Sequence, residues 1–365
     1  MTPGQVESEL SARAPRALAD ARAAIVDALA EPIAQGVPPG ASLLVVDAEG
    51  ALLRAFGGWS LVVGERIATT RDTIYDLASL TKVVATVTLA LSLAEQGRWT
   101  LDDPLVRWLP DYPRDDTTLR QLLVHTSGLI PHREFYRRGR GVPEIRGAVV
   151  AEAAAEGILP GPVSYSDLNY MLLGWALERC SGTRLERLFQ QTVAEPLGMQ
   201  HTGYLPPERD RRLIAATELD GDQRLTSGLV WGEVHDGNTW ALGGISGHAG
   251  LFAPIDDLGR FTSALLTPDQ HPVLGAESLA EMTRWQAGAP PDTRALGWRL
   301  DAHEWGAWPA STYWHTGFTG TSLLVAPDVG IGVLLLMGGV HPVRRLDEAD
   351  ELRRAVHRLI ADALV

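Results

Sequence analysis

Strand-like segments concentrate near the two ends of this 365-residue chain, and that arrangement restricts the folds open to it. The predicted strands are residues 41–47, 51–57, 295–300, 312–315, 321–326 and 331–337. The middle is mostly helical in pattern, and its predicted helices are residues 80–96, 118–123, 166–180, 184–195 and 255–266. Strands, then helices, then strands again favour an α+β fold over repeated βαβ units. We therefore predict an antiparallel sheet built from both chain ends.

The two termini are predicted to be helical and to cover this sheet. Residues 1–30 have an amphipathic pattern, and a final helix is expected from about residue 347 to residue 364. Residues 1–72 together with 285–365 would form an α/β sheet domain, and residues 73–284 would form a mostly helical inserted domain. We expect the active site to lie between these two domains.

The charge balance argues against several kinds of partner. The chain has 32 basic and 45 acidic residues, which give a formal net charge of −13, and no basic stripe offsets this charge. We therefore predict neither nucleic acids nor anionic membranes as partners. We find no signal-peptide pattern and no membrane-spanning pattern, so a cytoplasmic location is the default expectation. The single cysteine, Cys180, excludes an intramolecular disulfide.

Lysine occurs once in the chain, beside 31 arginines, and its position is informative. Lys82 follows Ser79 by three residues, and the two begin a long apolar segment that is predicted to be a buried helix. Residues three apart share a helix face, so the two side chains can touch. A desolvated lysine can lose its proton, whereas arginine cannot. Lys82 is thus a candidate activator of Ser79 as a nucleophile, and an exposed lysine beside a helix-capping serine is the alternative.

Two further motifs could serve the same chemistry. Tyr165 precedes Ser166 and Asp167 at the start of a predicted helix, and a phenol near an ammonium can act as a phenolate that moves a proton. Simple helix capping by Ser166 or Asp167 is compatible with that role. Near the C-terminus, His315 is followed by Thr316 and Gly317 on a predicted strand. A glycine there allows close approach of a substrate, and strand N–H groups can bind an oxyanion.

Taken together, these motifs resemble those of the serine β-lactamase and penicillin-binding-protein superfamily. The class C-type branch is the most similar, because a tyrosine motif takes the middle place there. This branch includes class C β-lactamases, D,D-carboxypeptidases, D-aminopeptidases and family VIII carboxylesterases. The segments at residues 122–129 and 165–170 also resemble recurrent segments of these proteins, and the resemblance spans about residues 41–364.

The resemblance implies a catalytic role for four residues. Ser79 would be the nucleophile that carries the acyl group, and Lys82 and Tyr165 would form the proton-transfer pair. The backbone N–H groups of Ser79 and Phe318 would form the oxyanion hole.

The resemblance also places Asp167, His315, Thr316 and Gly317 on the substrate side, with two departures from the β-lactamase pattern. Asp167 stands where those enzymes carry asparagine, and His315 stands where they carry lysine. Because histidine is largely neutral near pH 7, we expect a fixed positive charge for a substrate carboxylate to be missing. Neutral esters or amides would then be better substrates than penicillins or cephalosporins.

Several functions remain open on the sequence alone. The leading hypothesis is a carboxylesterase or a peptide or amide hydrolase with a small or peptide-like substrate. The alternatives are a β-lactamase or D,D-peptidase that acts on cell-wall-derived substrates, and a non-catalytic ligand-binding relative. His235, Asp236 and His248 lack a tight metal-ligand spacing, so we predict no metal and no cofactor. The sequence does not predict the oligomeric state.

Overall fold

The fold is seen in a computed structural model that describes residues 5–154, 161–219, 228–300 and 302–365. The strands of the described residues are β1 (Val6–Leu10), β2 (Gly40–Asp47), β3 (Gly50–Leu61), β4 (Ile67–Ala68), β5 (Ile74–Asp76), β6 (Gly203–Tyr204), β7 (Leu251–Pro254), β8 (Ala287–Ala289), β9 (Asp292–Arg294), β10 (Tyr313–Thr316), β11 (Ser322–Ala326) and β12 (Ile331–Met337).

The α-helices are α1 (Arg16–Ala34), α2 (Thr88–Glu95), α3 (Leu119–Leu123), α4 (Val142–Ala153), α5 (Asp167–Ser181), α6 (Leu185–Phe189), α7 (Gly237–Ala241), α8 (Ile255–Leu265), α9 (Ala276–Thr283) and α10 (Leu346–Leu364). Two π-helical segments, Lys82–Val87 and Gln190–Ala194, continue directly into or out of α-helices. Short 3₁₀ turns occur at Leu105–Arg107, Phe135–Arg137, Glu208–Leu213, Pro268–Gln270 and His303–Trp305.

The main sheet is antiparallel and contains strands from both ends of the chain. Its order is β1-β3-β2-β12-β11-β10, and β4 pairs with β3 beyond this path. The first and last parts of the chain meet where β2 pairs with β12, in a register that sets Leu44 opposite Leu334. The predicted α+β fold, with a sheet built from both chain ends, is therefore confirmed.

Both faces of the sheet are covered, and the period-two alternation of strand side chains explains how. On β2, Leu43 and Val45 point into a core that they share with α1 and α10, whereas Leu44 and Val46 point into the core of the helical region. The terminal helices α1 and α10 pack on each other and on the sheet, as the sequence predicted. All helices from α2 to α9 lie between residues 73 and 284. The domain boundaries themselves stay a prediction.

The predicted helix over residues 1–30 is wrong in its first part. Residues 1–4 lie outside the described residues, but Val6–Leu10 forms edge strand β1, which pairs antiparallel with β3. Its residues alternate between half-buried and exposed, as a strand with one covered face requires. The helix begins only at Arg16, directly after Pro15. The alternating charged residues of this segment therefore belong to two different elements.

The predicted strand at residues 295–300 is also wrong. Arg299 makes isolated bridges to Arg294 and Trp314, but the segment forms no continuous strand. Gly297 has a φ of 78°, which interrupts an extended conformation. A Cβ atom at Gly297 would lie only 2.7 Å from the Tyr170 hydroxyl, so the chain needs a glycine to pass so close to α5. Sequence periodicity does not reveal such a tertiary contact.

Candidate active site

Ser79 lies at the end of a tight turn between β5 and the buried helix. The preceding residue, Ala78, has a φ of 45°, which is unfavourable for a residue with a Cβ atom. The Asp76 carboxylate holds this turn, since its Oδ1 accepts a hydrogen bond of 2.8 Å from the Ala78 N–H. The helix follows at once, with the Lys82 N–H donating to the Ser79 carbonyl at 3.0 Å. This geometry presents the Ser79 hydroxyl at the start of the helix.

Lys82 is completely buried, and its ammonium group joins three parts of the chain. Its Nζ lies 2.8 Å from Ser79 Oγ and 2.8 Å from Asp167 Oδ1, and it donates to the His248 carbonyl at 3.3 Å. Burial works to lower the pKa of Lys82, but the nearby Asp167 charge outweighs it, so that the pKa is raised. The resting site therefore holds Lys82 as an ammonium. Desolvation, on which the expectation of a titratable Lys82 rested, is thus opposed by the ion pair with Asp167.

Asp167 supplies the negative charge that stabilises Lys82 as an ammonium. It is the first residue of α5, where the helix dipole favours an anion. Burial opposes its ionisation, yet Lys82 and His132 hold the pKa of the Asp167 carboxyl well below its usual range. The Nδ1 of His132 lies 3.4 Å from Asp167 Oδ2, and this contact raises the pKa of His132. The aspartate thus forms an ion pair with Lys82 and does not lie exposed to the substrate as an uncompensated charge.

Tyr165 lies against this ion pair and is held there by His125. The Lys82 Nζ is 4.9 Å from the centroid of the Tyr165 ring, and the His125 ring packs against the same tyrosine, tilted by 38°, with centroids 4.6 Å apart. His125 is buried and has a φ of 60°, and its Nδ1 accepts a 3.0 Å hydrogen bond from the Ser166 N–H. Burial lowers the pKa of His125 well below its usual value, so it stays neutral as this acceptor. The 122–129 segment thus positions the tyrosine motif, a role that the sequence did not reveal.

His315 is a buried, neutral residue of β10. Its Nδ1 donates to the Thr316 carbonyl at 2.7 Å, which leaves Nε2 as an acceptor. Burial, followed by the charges of Lys82 and Arg294, lowers the pKa of His315 well below its usual value. Within the described residues, the buried Nε2 has no hydrogen-bond partner, and His315 borders a cavity that Ser79 also lines. The expectation of a neutral histidine at this place agrees with this environment.

Gly317, directly after β10, allows the chain to pack against the segment just before Ser79. A Cβ atom here would lie 2.1 Å from Thr321 Oγ1 and 2.4 Å from the Leu77 carbonyl oxygen, distances that no side chain tolerates. Thr321 Oγ1 in turn donates to that carbonyl at 3.1 Å. The close approach brings Phe318, the next residue, beside Ser79 at the mouth of both adjoining cavities. The structure therefore brings together all of the site residues predicted from the sequence.

Two cavities meet at Ser79, Tyr165 and Phe318, and they differ in charge. The larger, of about 350 Å³, is bordered by three arginines that the sequence analysis did not single out, namely Arg294, Arg299 and Arg353. The Arg294 guanidinium lies 5.5 Å from the centroid of the Tyr165 ring. Three arginines thus border the place where the sequence predicted no fixed positive charge, and each lies close to a carboxylate, Arg294 and Arg299 to Asp292 and Arg353 to Asp350. The charge comes instead from residues distant in sequence, for which no local motif exists.

The smaller cavity, of about 280 Å³, is lined by the two histidines and the aspartate that were considered as metal ligands, His235, His248 and Asp236. They form two separate pairs. His248 Nε2 lies 2.9 Å from Asp236 Oδ1, and His235 Nε2 lies 3.1 Å from Glu218 Oε2. In the described parts of the chain, no group of three or more His, Cys, Asp or Glu side chains is arranged to hold a metal ion.

Comparison with known proteins identifies the family. The model of the family described as Beta-lactamase matches residues 23–358, which is most of the chain. The chain belongs to the Beta-lactamase family. This is a family of serine hydrolases, as the motifs predicted. A Salmonella agona (strain SL483) protein named "Putative D-alanyl-D-alanine carboxypeptidase" is 28% identical over 83% of this chain and 79% of its own length.

Solved structures support the fold. The octameric penicillin-binding protein homologue from Pyrococcus abyssi is 22% identical, with a TM-score of 0.71 over 88% of this chain and 73% of its own. EstCE1, a hydrolase with promiscuous acyltransferase activity, is also 22% identical, with a TM-score of 0.73 over 94% of this chain and 99% of its own. At these identities the likeness concerns the fold. Within the described residues, no helix has the length and apolar character that a membrane span requires.

Proposed function

We propose that this protein hydrolyses an ester or amide bond through an acyl-enzyme on Ser79. The observation that carries the proposal is the 2.8 Å contact between Ser79 Oγ and the buried Lys82 ammonium, at the junction of two cavities. A serine hydroxyl needs a neighbouring group that takes its proton, and the arrangement of Lys82 and Tyr165 meets that need. An intact nucleophile and proton-transfer pair argue against a non-catalytic ligand-binding role.

The protonation state of Lys82 favours Tyr165 as the proton acceptor. Asp167 keeps Lys82 as an ammonium, which cannot itself take the proton. Tyr165 lies beside it, with Lys82 Nζ and the Arg294 guanidinium 4.9 Å and 5.5 Å from the centroid of its ring. In the acylation step, Ser79 Oγ bonds to the substrate carbonyl carbon while its proton passes to Tyr165. The same proton then passes to the leaving group as its bond to carbon breaks. In deacylation, water attacks the acyl-enzyme, Tyr165 takes the water proton, and that proton returns to Ser79 Oγ.

The developing oxyanion would be bound by two backbone N–H groups. Those of Ser79 and Phe318 are the candidates, because Gly317 lets the two segments approach each other closely. Donors held in place before the reaction stabilise the tetrahedral intermediate without the cost of reorganising solvent.

The arginine-lined cavity supports a substrate that carries a carboxylate beyond the scissile bond. Arg299 is the most accessible of the three candidates, with 29% of its side chain exposed, and a guanidinium can bind a carboxylate through two hydrogen bonds. A peptide with a free C-terminus fits this description. The name of the Salmonella agona relative, "Putative D-alanyl-D-alanine carboxypeptidase", is consistent with it.

A carboxylesterase for neutral substrates is the second candidate. The neutral His315 at the place of the family lysine favours it, since this residue offers a hydrogen-bond acceptor and no charge. Such an enzyme would not depend on Arg299 for recognition.

Turnover of a panel of substrates tests both the reaction and the substrate class. The panel contains p-nitrophenyl esters, D-amino-acid amides, peptides ending in D-Ala-D-Ala, and penicillins and cephalosporins. We expect ester turnover and carboxypeptidase activity, both lost in Ser79→Ala. An inactive wild-type protein, or activity that persists in Ser79→Ala, would contradict the proposal.

A further inference from the structure

Phe318 is exposed over 40% of its surface, yet its ring contacts two side chains from distant parts of the chain. On one side, the His235 ring stacks on it with centroids 5.6 Å apart and an interplanar angle of 22°. Near the ring, the Arg344 guanidinium lies 5.4 Å from its centroid, within the range of a cation–π contact. These two contacts hold the side chain of the residue whose backbone N–H is a proposed oxyanion donor.

Glu218 connects the two partners of Phe318. Its Oε1 lies 2.7 Å from Arg344 Nε, and its Oε2 accepts a 3.0 Å hydrogen bond from Arg344 Nη2, which makes the ion pair bidentate. The same Oε2 lies 3.1 Å from His235 Nε2. Glu218 is only 7% exposed, so water competes weakly for these contacts. We refer to Glu218, His235 and Arg344 as the Phe318 clamp.

The Phe318 clamp is also tied to the turn that carries Ser79. The His235 N–H donates to Asp76 Oδ2 at 2.6 Å, and the other oxygen of this carboxylate holds the Ala78 N–H. The Asp76 carbonyl accepts a 2.7 Å hydrogen bond from Thr319 Oγ1, adjacent to Phe318. The neighbours of both proposed oxyanion donors are therefore anchored on Asp76, and His235 joins Asp76 to Glu218.

We infer that the Phe318 clamp positions the oxyanion hole. Glu218 fixes His235 and Arg344, these fix the Phe318 ring, and the ring fixes the direction of the Phe318 N–H. Glu218, His235 and Arg344 are positioning residues, since they act through Phe318 and Asp76. The inference rests on the proposed acyl-enzyme function, to which it adds residues outside the three motifs.

A substitution at Glu218 separates this role from a general structural one. Glu218→Gln keeps the size of the side chain but removes the charge that holds Arg344. Complete removal of an oxyanion donor costs about 10²–10³-fold in kcat, and a donor that is only loosened should cost less, about 10-fold. Phenylboronic acid is the probe, because it forms a tetrahedral adduct with a serine hydroxyl and depends on the same donors. All rates are expressed per active site titrated with a fluorophosphonate.

We expect kcat/KM for a p-nitrophenyl ester to fall about 10-fold in Glu218→Gln, and the inhibition constant of phenylboronic acid to rise by a similar factor. Phe318→Leu should show the same changes, and the double variant should show no further loss. Glu281→Gln is the matched control, because Glu281 is also partly buried and forms ion pairs with Arg120 and Arg284, but borders neither cavity. It should leave both quantities unchanged.

Two results would overturn the inference. One is a Glu218→Gln variant with wild-type kcat/KM and wild-type boronate affinity per active site. The other is a loss of kcat/KM with unchanged boronate affinity, which would assign Glu218 to a step other than oxyanion binding. If Glu218→Gln does not fold, Arg344→Gln is judged by the same criteria, since 36% of the Arg344 side chain is exposed. A wild-type protein that forms no Ser79 adduct contradicts the proposed function, whereas wild-type behaviour of these variants contradicts only the clamp.

Discussion

Arg299 offers a direct test of the substrate class. It borders the larger cavity, its Nη2 donates to the Pro291 carbonyl at 2.7 Å, and its guanidinium lies 4.4 Å from the Trp314 ring centroid. A hydrogen bond to a charged group contributes about 1.5–3 kcal/mol, which corresponds to a factor of about 10–150 in binding. Because Arg299 is partly exposed and Arg294 and Arg353 border the same cavity, we expect the lower end of this range. Arg299→Gln should thus lower kcat/KM for a carboxylate-bearing substrate about 10-fold.

The assay compares two esters with the same acyl group, a phenyl ester and a m-carboxyphenyl ester, so that only the leaving-group carboxylate differs. Arg299→Gln should lower kcat/KM for the carboxylate ester. It should leave kcat/KM for the phenyl ester within about twofold of the wild-type value, because the phenyl ester has no carboxylate to accept a hydrogen bond from Arg299. Raising the ionic strength should also reduce the wild-type preference. Arg260→Gln, at an exposed arginine that borders neither cavity, is the control. Equal losses for both esters, or no loss for either, would refute the role of Arg299 in carboxylate recognition.

Three further substitutions test other parts of the site. Lys82→Arg should lower kcat for the phenyl ester at least about 100-fold. Lys82 is completely buried, with its Nζ 2.8 Å from both Ser79 Oγ and Asp167 Oδ1, and a planar guanidinium does not reproduce these contacts. Near-normal turnover would show that positive charge alone suffices. Asp167→Asn removes the charge that raises the pKa of Lys82, so the ammonium should lose its proton at lower pH. The alkaline limb of the kcat/KM–pH profile should therefore move to lower pH. An unmoved limb would exclude Lys82 as the group that titrates there. Gly317→Ala should reduce the free energy of unfolding by about 1–3 kcal/mol and lower kcat, because its Cβ would clash with Thr321 and the Leu77 carbonyl. Urea denaturation and ester turnover measure the two effects. Wild-type stability and wild-type kcat would show that the segments around Gly317 and Leu77 can separate without cost.

The sheet could be predicted from the sequence because its strands are apolar, short and bounded by turn residues. The pairing of β2 with β12 follows from their position at opposite ends of a chain with a helical middle. Edge strand β1 was missed because its five residues are followed closely by a true amphipathic helix, and both contain alternating charges. The segment at 295–300 was misassigned because Gly297 is fixed by its contact with Tyr170, which only the folded protein brings near.

The features of the site also divide into those that the sequence predicts and those that it does not. Ser79 and Lys82 were predictable because one helical turn joins them, and Tyr165 and His315 because they stand in recognisable motifs. The raised pKa of Lys82 was not predictable, since it depends on the balance between complete burial and a carboxylate 85 residues away in the chain.

The arginines of the larger cavity carry no local signal at all. Arg294 ends β9 and Arg353 lies within α10, and only the packing of these elements around β10 brings both to the cavity that Ser79 borders. The Phe318 clamp has the same origin, because its three residues come from separate loops. Charge recognition therefore depends on the tertiary structure, whereas the nucleophile and its partner depend on the local sequence.

The site of covalent modification tests the central claim most directly. Wild-type protein and Ser79→Ala are treated with a fluorophosphonate, and intact-mass measurement and peptide mapping locate the adduct. The account predicts one adduct per wild-type chain on the peptide that contains Ser79, and none in Ser79→Ala, with ester turnover lost in parallel. An adduct on Ser127 or Ser246, or undiminished turnover by Ser79→Ala, would contradict it.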